Sequence, residues 1–407
     1  MNDETLREEV VTWLAEHWTD ELSRELRSEN VHWEATETRK NWLAKVVEAR
    51  WAVPRWPQEW YGRGLNNDQA LIVEREFSRV RAPGTGQDRN NLWANTLLAQ
   101  GQQGLKEKLI APLLRSELNM CLLYSEPGAG SDLAGIRTRA DKEGDHYLVN
   151  GQKVWTSGAM TADYGMLIAR TNWDVPKHQG ISFFFLPMKQ PGIEVRPLRQ
   201  ITNESHFNEV FITEATVPAE NLLGTPGSGW QVLNTALAYE RSTMGETARG
   251  PRSGVSESKG EEPLIALARE AGRLEEPGLR QEIAQAIAYK RLNALNTARA
   301  KADLSQGTSS SIMSLGKLAM SRILHEDGRV RTKILGAGSL FEGPDHPRAE
   351  DANFLSLNAY FTSIGGGTDQ IQRNIIGERV LGLPKEPEID KTVPFREVRT
   401  SERSTGD

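Results

Sequence analysis

Hydrophobic positions recur at helical spacing at both ends of this chain and follow a strand-like pattern in its middle. Near the start, Leu6, Val10, Trp13, Leu14 and Trp18 fall on one stripe between charged residues, which predicts amphipathic helices. We interpret the tryptophans of this region as core or groove packing. The helical spacing returns over 281–304 and 312–335, where it predicts members of a helical bundle.

Between these regions lie short runs of β-branched and aromatic residues separated by turn signals, which predict strands. Asn150-Gly151, flanked by 147–149 and 153–155, is a strong two-residue hairpin signal, because both turn positions need residues that accept a positive φ. The further predicted strands are Tyr164 to Arg170, Ile181 to Met188, Ile193 to Pro197 and Glu209 to Thr213.

The element order predicts an α+β protein with three domains and a tail. We expect an N-terminal α-helical domain over 1–119, a middle antiparallel β domain over 120–225 and a C-terminal four-helix bundle over 226–384. The polar stretch 250–262 is rich in glycine and serine and predicts a flexible surface loop. The charged, proline-containing segment 385–407 predicts a flexible tail or a partner-binding arm.

Composition excludes several function classes. A net charge of −6, with lysine and arginine spread along the 407 residues, provides no concentrated basic surface for nucleic acid. No apolar run approaches the twenty residues that a bilayer requires, so we expect a soluble protein without a membrane anchor. The single cysteine, Cys121, cannot form an internal disulfide and is interpreted as a small buried hydrophobe in a cytoplasmic protein. The scattered histidines predict no metal site.

Two segments carry the candidate chemistry. Residues 125–135 read SEPGAGSDLAG; their three glycines allow close approach of a ligand, and the hydroxyl of Ser131 suits an anionic oxygen. Residues 155–157 supply a flat aromatic and two hydroxyls, which suit a stacked ring such as a flavin. A dinucleotide fingerprint is rejected, because its third glycine would fall at Leu133. Glu126 and Asp132 are expected to fix the turn and to cap the segment that follows.

Three motifs, in order along the chain, give a family resemblance. They are SEPGAGSD at 125–132, NGQKVW at 150–155 and GTDQIQRNIIGER at 367–379. With them, the chain resembles the acyl-CoA dehydrogenase family over nearly its whole length. The resemblance implies FAD in a cleft between the β domain and the bundle, and oxidation of an acyl-CoA thioester to the trans-2-enoyl-CoA.

The resemblance also implies roles for individual positions around FAD. The polar edge of the isoalloxazine would meet Leu123 and Ser125, and the pyrophosphate would meet Gly130 and Ser131. The ring near N5 would lie against Trp155 and Ser157. The ribityl and adenosine portions would be reached by Thr368 and Gln370, and a neighbouring subunit's flavin would be served by the segment 333–338, including Lys333 and Ala337.

A departure from the family pattern concerns the catalytic base. Many members carry a glutamate immediately before the Gly-Thr of the last motif, whereas this chain has Gly366 there. A glycine still offers its backbone N–H to the thioester oxygen, so only the proton acceptor is lost. A minority of the family, similar to isovaleryl-CoA and long-chain dehydrogenases, carries the base on the first bundle helix, directly before an arginine. Glu240, followed by Arg241, is therefore the candidate base; the alternative is an ion pair on a solvated helix surface.

A second departure leaves assembly and activity open. The family's Arg-x-x-Phe-Gly contact to a neighbour's FAD lacks its aromatic here, and Arg249 or Arg252 could substitute. We expect a dimer or homotetramer that acts on an acyl-CoA substrate and passes electrons to an electron-transfer flavoprotein. A non-catalytic partner subunit of a hetero-oligomer, and a flavin oxidase or monooxygenase of the same fold, remain alternatives. The acyl group is not predicted.

Overall fold

The computed structural model describes residues 2–28, 34–243, 262–305, 315–387 and 390–398. The side chains of residues 28, 240–243, 301, 304 and 305 are not among those described. The chain forms two compact units, of which the first contains residues 1–200, 205–243 and 388–407, and the second contains 201–204 and 244–387. The predicted order of a helical region, a β region and a second helical region is confirmed.

The first unit begins with seven helices packed around tryptophan and leucine side chains. Helix α1 buries Leu6, Val10 and Leu14, the predicted stripe. Trp42 and Trp51 are almost completely buried, which confirms their interpretation as core. The helices are α1 Asp3–His17, α2 Asp20–Ser28, α3 Glu37–Glu48, α4 Asn67–Val80, α5 Gln87–Asn90, α6 Leu92–Gln100 and α7 Gln103–Leu114.

An eight-stranded sheet follows, and one further helix completes the unit. The strands are β1 Met120–Leu123, β2 Arg139–Glu143, β3 His146–Ser157, β4 Tyr164–Arg170, β5 Ile181–Pro187, β6 Ile193–Leu198, β7 Phe207–Pro218 and β8 Leu222–Leu223. Their order is β6-β7-β3-β2-β4-β5-β8, with β1 beside β4. The sheet is mainly antiparallel, but β1 and β2 both run parallel to β4. Helix α8, Gly229–Thr243, packs on α5, α6 and β5.

The predicted hairpin at Asn150-Gly151 is wrong. Both residues lie inside the continuous strand β3, at an irregularity in its pairing with β7. The amide oxygen of Asn150 accepts from the backbone N–H of Glu214 at 2.9 Å, and a Cβ on Gly151 would lie 2.4 Å from Oγ1 of Thr138. The glycine therefore permits close contact within the sheet. The β2–β3 turn is formed earlier, at Gly144 with a φ of 60°.

The second unit consists of five described helices with a separate small core. They are α9 Pro263–Glu270, α10 Pro277–Ser305, α11 Gly316–Leu335, α12 Pro347–Ile364 and α13 Asp369–Ile375. Leucine and isoleucine side chains of α9, α10 and α11 are buried together, among them Leu264, Ile283 and Ile334. The predicted helices over 281–304 and 312–335 correspond to α10 and α11. None of the described helices is long and apolar enough to cross a bilayer.

The prediction of a flexible tail is wrong for residues 390–398. Phe395 is buried, and its backbone N–H donates to the carbonyl of Val175 at 2.9 Å. The N–H of Arg396 donates to the carbonyl of Trp173 at 3.1 Å. This segment therefore docks on the loop between β4 and β5, because one aromatic side chain supplies an apolar anchor that charge and proline content do not reveal.

Candidate functional site

The two candidate segments lie side by side at the end of β1. The backbone N–H of Val154, on β3, donates to the carbonyl of Ser125 at 2.9 Å. Ser125 directly follows β1, so this bond places Trp155 and Ser157 next to the glycine-rich turn. Residues 30 positions apart thereby form one surface, as the sequence predicted for a single site.

A buried ion pair between Lys153 and Glu126 lies next to the Val154–Ser125 bond and holds the two segments together. Nζ of Lys153 donates to Oε1 of Glu126 at 2.8 Å and to the carbonyl of Tyr124 at 3.0 Å. The Glu126 carboxylate also accepts from the N–H groups of Arg137 at 2.6 Å and Thr138 at 2.9 Å. The predicted role of Glu126 in fixing the turn is confirmed.

The charge states of this pair follow from its surroundings. Burial works to raise the pKa of Glu126, but Lys153 and the hydrogen bonds from 137 and 138 outweigh it, and the pKa of the carboxyl lies below its usual range. Burial lowers the pKa of Lys153, against the attraction of Glu126. Each charged form is thus opposed by burial and stabilised by its partner.

The glycine-rich turn presents open backbone. Glu126 and Ala129 exchange N–H to carbonyl bonds of 3.0 and 3.1 Å, which close the turn over Gly128. A Cβ on Gly128 or Gly130 would meet nothing within 4 Å, so their missing side chains leave space for a ligand. Within the described part of the chain, the N–H groups of Gly130 and Ser131 have no protein acceptor, and both residues are exposed. This arrangement suits an anion such as a phosphate.

The aromatic of the second segment sits at a strained position. Trp155 has a φ of 61°, where β3 slips its register against β7 between Lys153 and Thr156. Such a φ is an outlier for a bulky residue and marks a position that the surrounding structure enforces. The bulge turns the indole outward, leaving it 57% exposed and in edge contact with Phe207 at 5.8 Å.

Two neighbours complete this surface. Ser157, at the end of β3, is exposed and offers a hydroxyl beside the indole. Leu123, predicted to meet the ring's polar edge, is fully buried in β1, where it pairs with Leu167 of β4. The turn, the indole and the hydroxyl thus provide an anion cradle, a flat apolar face and a polar edge, which fit the parts of a flavin nucleotide.

Asp132 does not cap the helical turn Leu133–Gly135, contrary to the prediction. Its carboxylate instead accepts from Nζ of Lys177, with both oxygens at 3.1 Å. Lys177 lies in the β4–β5 loop and also donates to Asp390 at 2.7 Å. An ion pair with a buried lysine satisfies this carboxylate, so the turn is held from outside.

The backbone of α8 carries the candidate base. Val232, Leu233 and Ala236 form the buried stripe of this helix, and residue 240 lies within the same helix, one turn after Ala236. The side chain of Glu240 itself lies outside the described residues, as do Arg249 and Arg252.

The last motif lies in the second unit, where it begins after α12 and includes α13. Gly366 and Gly367 have φ of 66° and 90°, so a glutamate at 366 would adopt a backbone conformation that side chains disfavour. Thr368 caps α13, its Oγ1 accepting from the N–H of Ile371 at 3.2 Å, and its hydroxyl proton remains available. Gln370, the second residue of α13, is exposed.

The segment predicted to serve a neighbour's flavin lies at the end of α11. Lys333 forms an ion pair with Glu282 and is half exposed. Ala337 is exposed in the helical turn Gly336–Leu340. Arg273 donates to the carbonyls of Lys333 at 2.6 Å and Ile334 at 3.0 Å and so fixes the turn.

Sequence reasoning missed the support of the glycine-rich turn. Arg170, at the end of β4, is fully buried and donates to the carbonyls of Ala134 at 2.7 Å and Ile136 at 3.1 Å. The sequence does contain a signal for this role, because Arg170 ends an otherwise apolar strand. A guanidinium buried there needs hydrogen-bond acceptors from neighbouring backbone.

Comparison with known proteins agrees with this architecture. Three family models match consecutive parts of the chain: acyl-CoA dehydrogenase N-terminal domain over 2–117, middle domain over 121–214 and C-terminal domain over 227–381. The acyl-CoA dehydrogenase IpdE1 of Mycobacterium tuberculosis is 33% identical over 94% of this chain and 98% of its own length.

Two solved structures share the fold of this chain and are at least 25% identical to it in sequence. The ChsE4-ChsE5 complex from Mycobacterium tuberculosis matches with a TM-score of 0.65 at 27% identity, covering 94% of this chain and 98% of the matched one. The Tcur3481-Tcur3483 steroid ACAD matches with a TM-score of 0.67 at 25% identity and the same coverage. With its three domains matched in order and a relative aligned over nearly its full length, this chain belongs to the acyl-CoA dehydrogenase family.

Proposed function

We propose that this acyl-CoA dehydrogenase binds FAD at the surface formed by the glycine-rich turn, Trp155 and Ser157. The observation that carries the proposal is the bond from Val154 N–H to the Ser125 carbonyl, which joins these segments. Bound there, FAD would supply the acceptor for the β-hydride of the substrate. Gly130 and Ser131 would hold the pyrophosphate with free N–H groups, while Ser125 would meet the ring's polar edge.

The family pattern assigns the remaining contacts to four further residues. Thr368 and Gln370 would hold the ribityl and adenosine portions, and Lys333 and Ala337 would contact the FAD of a neighbouring subunit. These assignments rest on the family pattern and on the exposure of the groups. The hydroxyl proton of Thr368, left free by its capping role, is the donor we assign to the cofactor.

We propose Glu240 as the base that removes the α-proton of the acyl-CoA. The thioester carbonyl acidifies this proton, and the N–H of Gly366 would stabilise the negative charge that develops on the carbonyl oxygen. Support comes from the family pattern, in which some members carry the base on this helix directly before an arginine, as Glu240 precedes Arg241 here.

The experiment compares Glu240→Gln with the wild type in two assays. We expect the variant to keep bound FAD but to lose acyl-CoA-dependent bleaching of flavin absorbance by about a hundredfold or more. The second assay follows exchange of α-protons with D2O in a thioester that carries sulfur in place of the β-carbon, where no hydride can leave. Wild type should catalyse this exchange and Glu240→Gln should not.

The matched control is Glu220→Gln, which removes an exposed carboxylate from the turn after β7. It should behave as wild type in both assays. Bleaching and exchange at wild-type rates in Glu240→Gln would overturn the base assignment. Rapid oxygen consumption by the reduced protein, without an electron-transfer flavoprotein, would favour an oxidase instead.

A panel of acyl-CoA thioesters tests which class of acyl group the protein oxidises. The name of one similar structure describes a steroid ACAD, so we propose that the panel include CoA thioesters of steroid side chains beside short, long and branched acyl groups. The fastest bleaching identifies the class.

A second proposal concerns assembly. The name of another similar structure describes a complex of two chains, and the second unit exposes large apolar side chains, including Tyr360, Ile364 and Leu381. We propose that this chain assembles with itself or with a non-identical family member. Light scattering of the purified chain, alone and co-expressed with candidate partners, distinguishes these cases; a monomer with full flavin content would overturn both.

A further inference from the structure

Residues 390–398, which we call the C-terminal strap, lie on the β domain beside the glycine-rich turn. Phe395 is 3% exposed and packs against Trp173 with ring centroids 5.5 Å apart. Two backbone bonds, from Phe395 and Arg396, tie the strap to the β4–β5 loop. An ion pair between Arg396 and Asp174 adds to this attachment.

The strap covers a buried guanidinium. The Phe395 ring lies over the guanidinium of Arg170, whose central carbon is 3.4 Å from the ring centroid. Arg170 donates to the carbonyls of Ala134, Ile136 and Lys177 at 2.7, 3.1 and 3.0 Å. An aromatic face attracts a guanidinium and also excludes water from it, which strengthens the hydrogen bonds that it makes.

The strap also reaches the turn through a second contact. Asp390 accepts from Nζ of Lys177 at 2.7 Å, and the same ammonium pairs with both oxygens of Asp132 at 3.1 Å. Asp132 directly follows Ser131, and Ala134 lies two residues further on. The strap therefore holds, through one lysine and one arginine, both ends of the segment 132–136.

We propose that the C-terminal strap positions the anion cradle for FAD, with Phe395 and Asp390 as positioning residues. This proposal rests on the proposed function, because it assumes that the cradle receives the FAD pyrophosphate. The cradle itself has few constraints: Gly128 and Gly130 have open surroundings, and Ser131 is exposed. Arg170 and Lys177 restrain the chain that follows, and both depend on the strap for part of their surroundings.

The experiment measures FAD affinity and fold stability separately in the full-length chain. Apoprotein is titrated with FAD by quenching of flavin fluorescence, and its melting temperature is recorded without FAD. We expect Phe395→Ala to raise the dissociation constant about three- to tenfold, the range of a shielded cation–π contact. Phe395→Tyr keeps the ring and should restore the affinity.

Asp390→Asn provides a second, milder variant, since Asp390 lies near the surface. We expect it to weaken FAD binding about two- to threefold at low salt and less at high salt, because an ion pair is screened. Matched controls are Phe341→Ala and Asp345→Asn, which alter exposed residues of the second unit and should leave the dissociation constant unchanged. If Phe395→Ala does not fold, Asp390→Asn alone decides.

The outcomes separate the two proposals. A wild-type chain that binds no FAD overturns the proposed function and this inference together. A wild type that binds FAD, with variants that melt earlier but bind FAD equally well, overturns the inference alone and leaves the strap a structural element.

Discussion

Lys153 donates to Glu126 at 2.8 Å across the base of the candidate site, and both side chains are buried. Lys153 lies two residues before Trp155, and Glu126 directly follows Ser125. The pair therefore links the two segments that we assign to the flavin. Burying two charges costs free energy, which hydrogen bonds from 137 and 138 and to the carbonyl of 124 offset.

We predict that removing one partner of this pair destabilises the fold more than removing both. Glu126→Gln leaves an ammonium in the core without its counter-charge and should reduce the free energy of unfolding by about 3–5 kcal/mol. The double variant Glu126→Gln with Lys153→Met should lose less. Urea denaturation measures both.

The matched control is Glu194→Gln, which breaks a pair with Arg196 of similar length, 2.7 Å, on an exposed strand. There we expect no measurable change, because solvent screens the charges. Equal effects of Glu126→Gln and Glu194→Gln would show that the buried pair contributes nothing beyond a surface contact.

The same carboxylate predicts an acid limit of stability. The pKa of Glu126 is lowered in the folded state, so its contribution is fully present above the ordinary value of 4.5 and is lost as the pH falls through the lower folded value. On the acid side, the difference in unfolding free energy between wild type and Glu126→Gln should shrink only below about pH 4.5. A difference that shrinks near pH 6 would contradict this assignment.

Much of the fold follows from local patterns, and the exceptions share one cause. The buried face of α1 was predicted from helical periodicity, and the strand Tyr164–Arg170 from a short run of strand-forming residues between turn signals; both signals are local. The hairpin predicted at Asn150-Gly151 is wrong because Gly151 is required by the close approach of the Thr138 side chain, and not by a turn. Local propensity cannot report such a contact.

The candidate site shows the same division. The sequence pattern singled out the turn and Trp155, but not Arg170, at the end of β4, or Lys177, in the loop that follows β4; both support the turn from about 40 residues further along the chain. The docking of Phe395 was missed because 225 residues separate it from Arg170, and a single aromatic in a charged segment has no periodic signal. The candidate site residues thus belong to local motifs, whereas the residues that support them do not.

Cys121 should be unreactive in the folded protein. It is 1% exposed in β1, and burial strongly raises the pKa of its thiol, so almost no thiolate forms at neutral pH. Reaction with a disulfide reagent should be negligible in buffer and complete within minutes in denaturant, with one thiol released per chain. Fast labelling of the native chain would contradict the burial of β1. Labelling that slows further on addition of FAD would report that the cofactor closes this region.

Trp155 and Glu214 provide a matched test of strain at the site. Both are exposed residues with positive φ, of 61° and 51°, at irregularities of the β3–β7 pairing, but only Trp155 adjoins the glycine-rich turn. Asparagine tolerates this conformation, so Glu214→Asn should raise the unfolding free energy by a fraction of about 1 kcal/mol and leave FAD binding unchanged. Trp155→Asn gains the same relief but loses the ring contact with Phe207, so we expect little net change in stability.

Trp155→Asn should bind FAD at least about tenfold more weakly, because the indole face that would lie against the isoalloxazine ring is lost. Urea denaturation of the apoprotein and titration with FAD separate the two effects. If the strain at Trp155 serves FAD binding, Trp155→Asn should weaken FAD binding without loss of stability. Glu214→Asn should not weaken FAD binding. A Trp155→Asn protein that loses several kcal/mol of stability while the folded fraction binds FAD normally would instead show that the indole is a structural residue whose φ the fold tolerates.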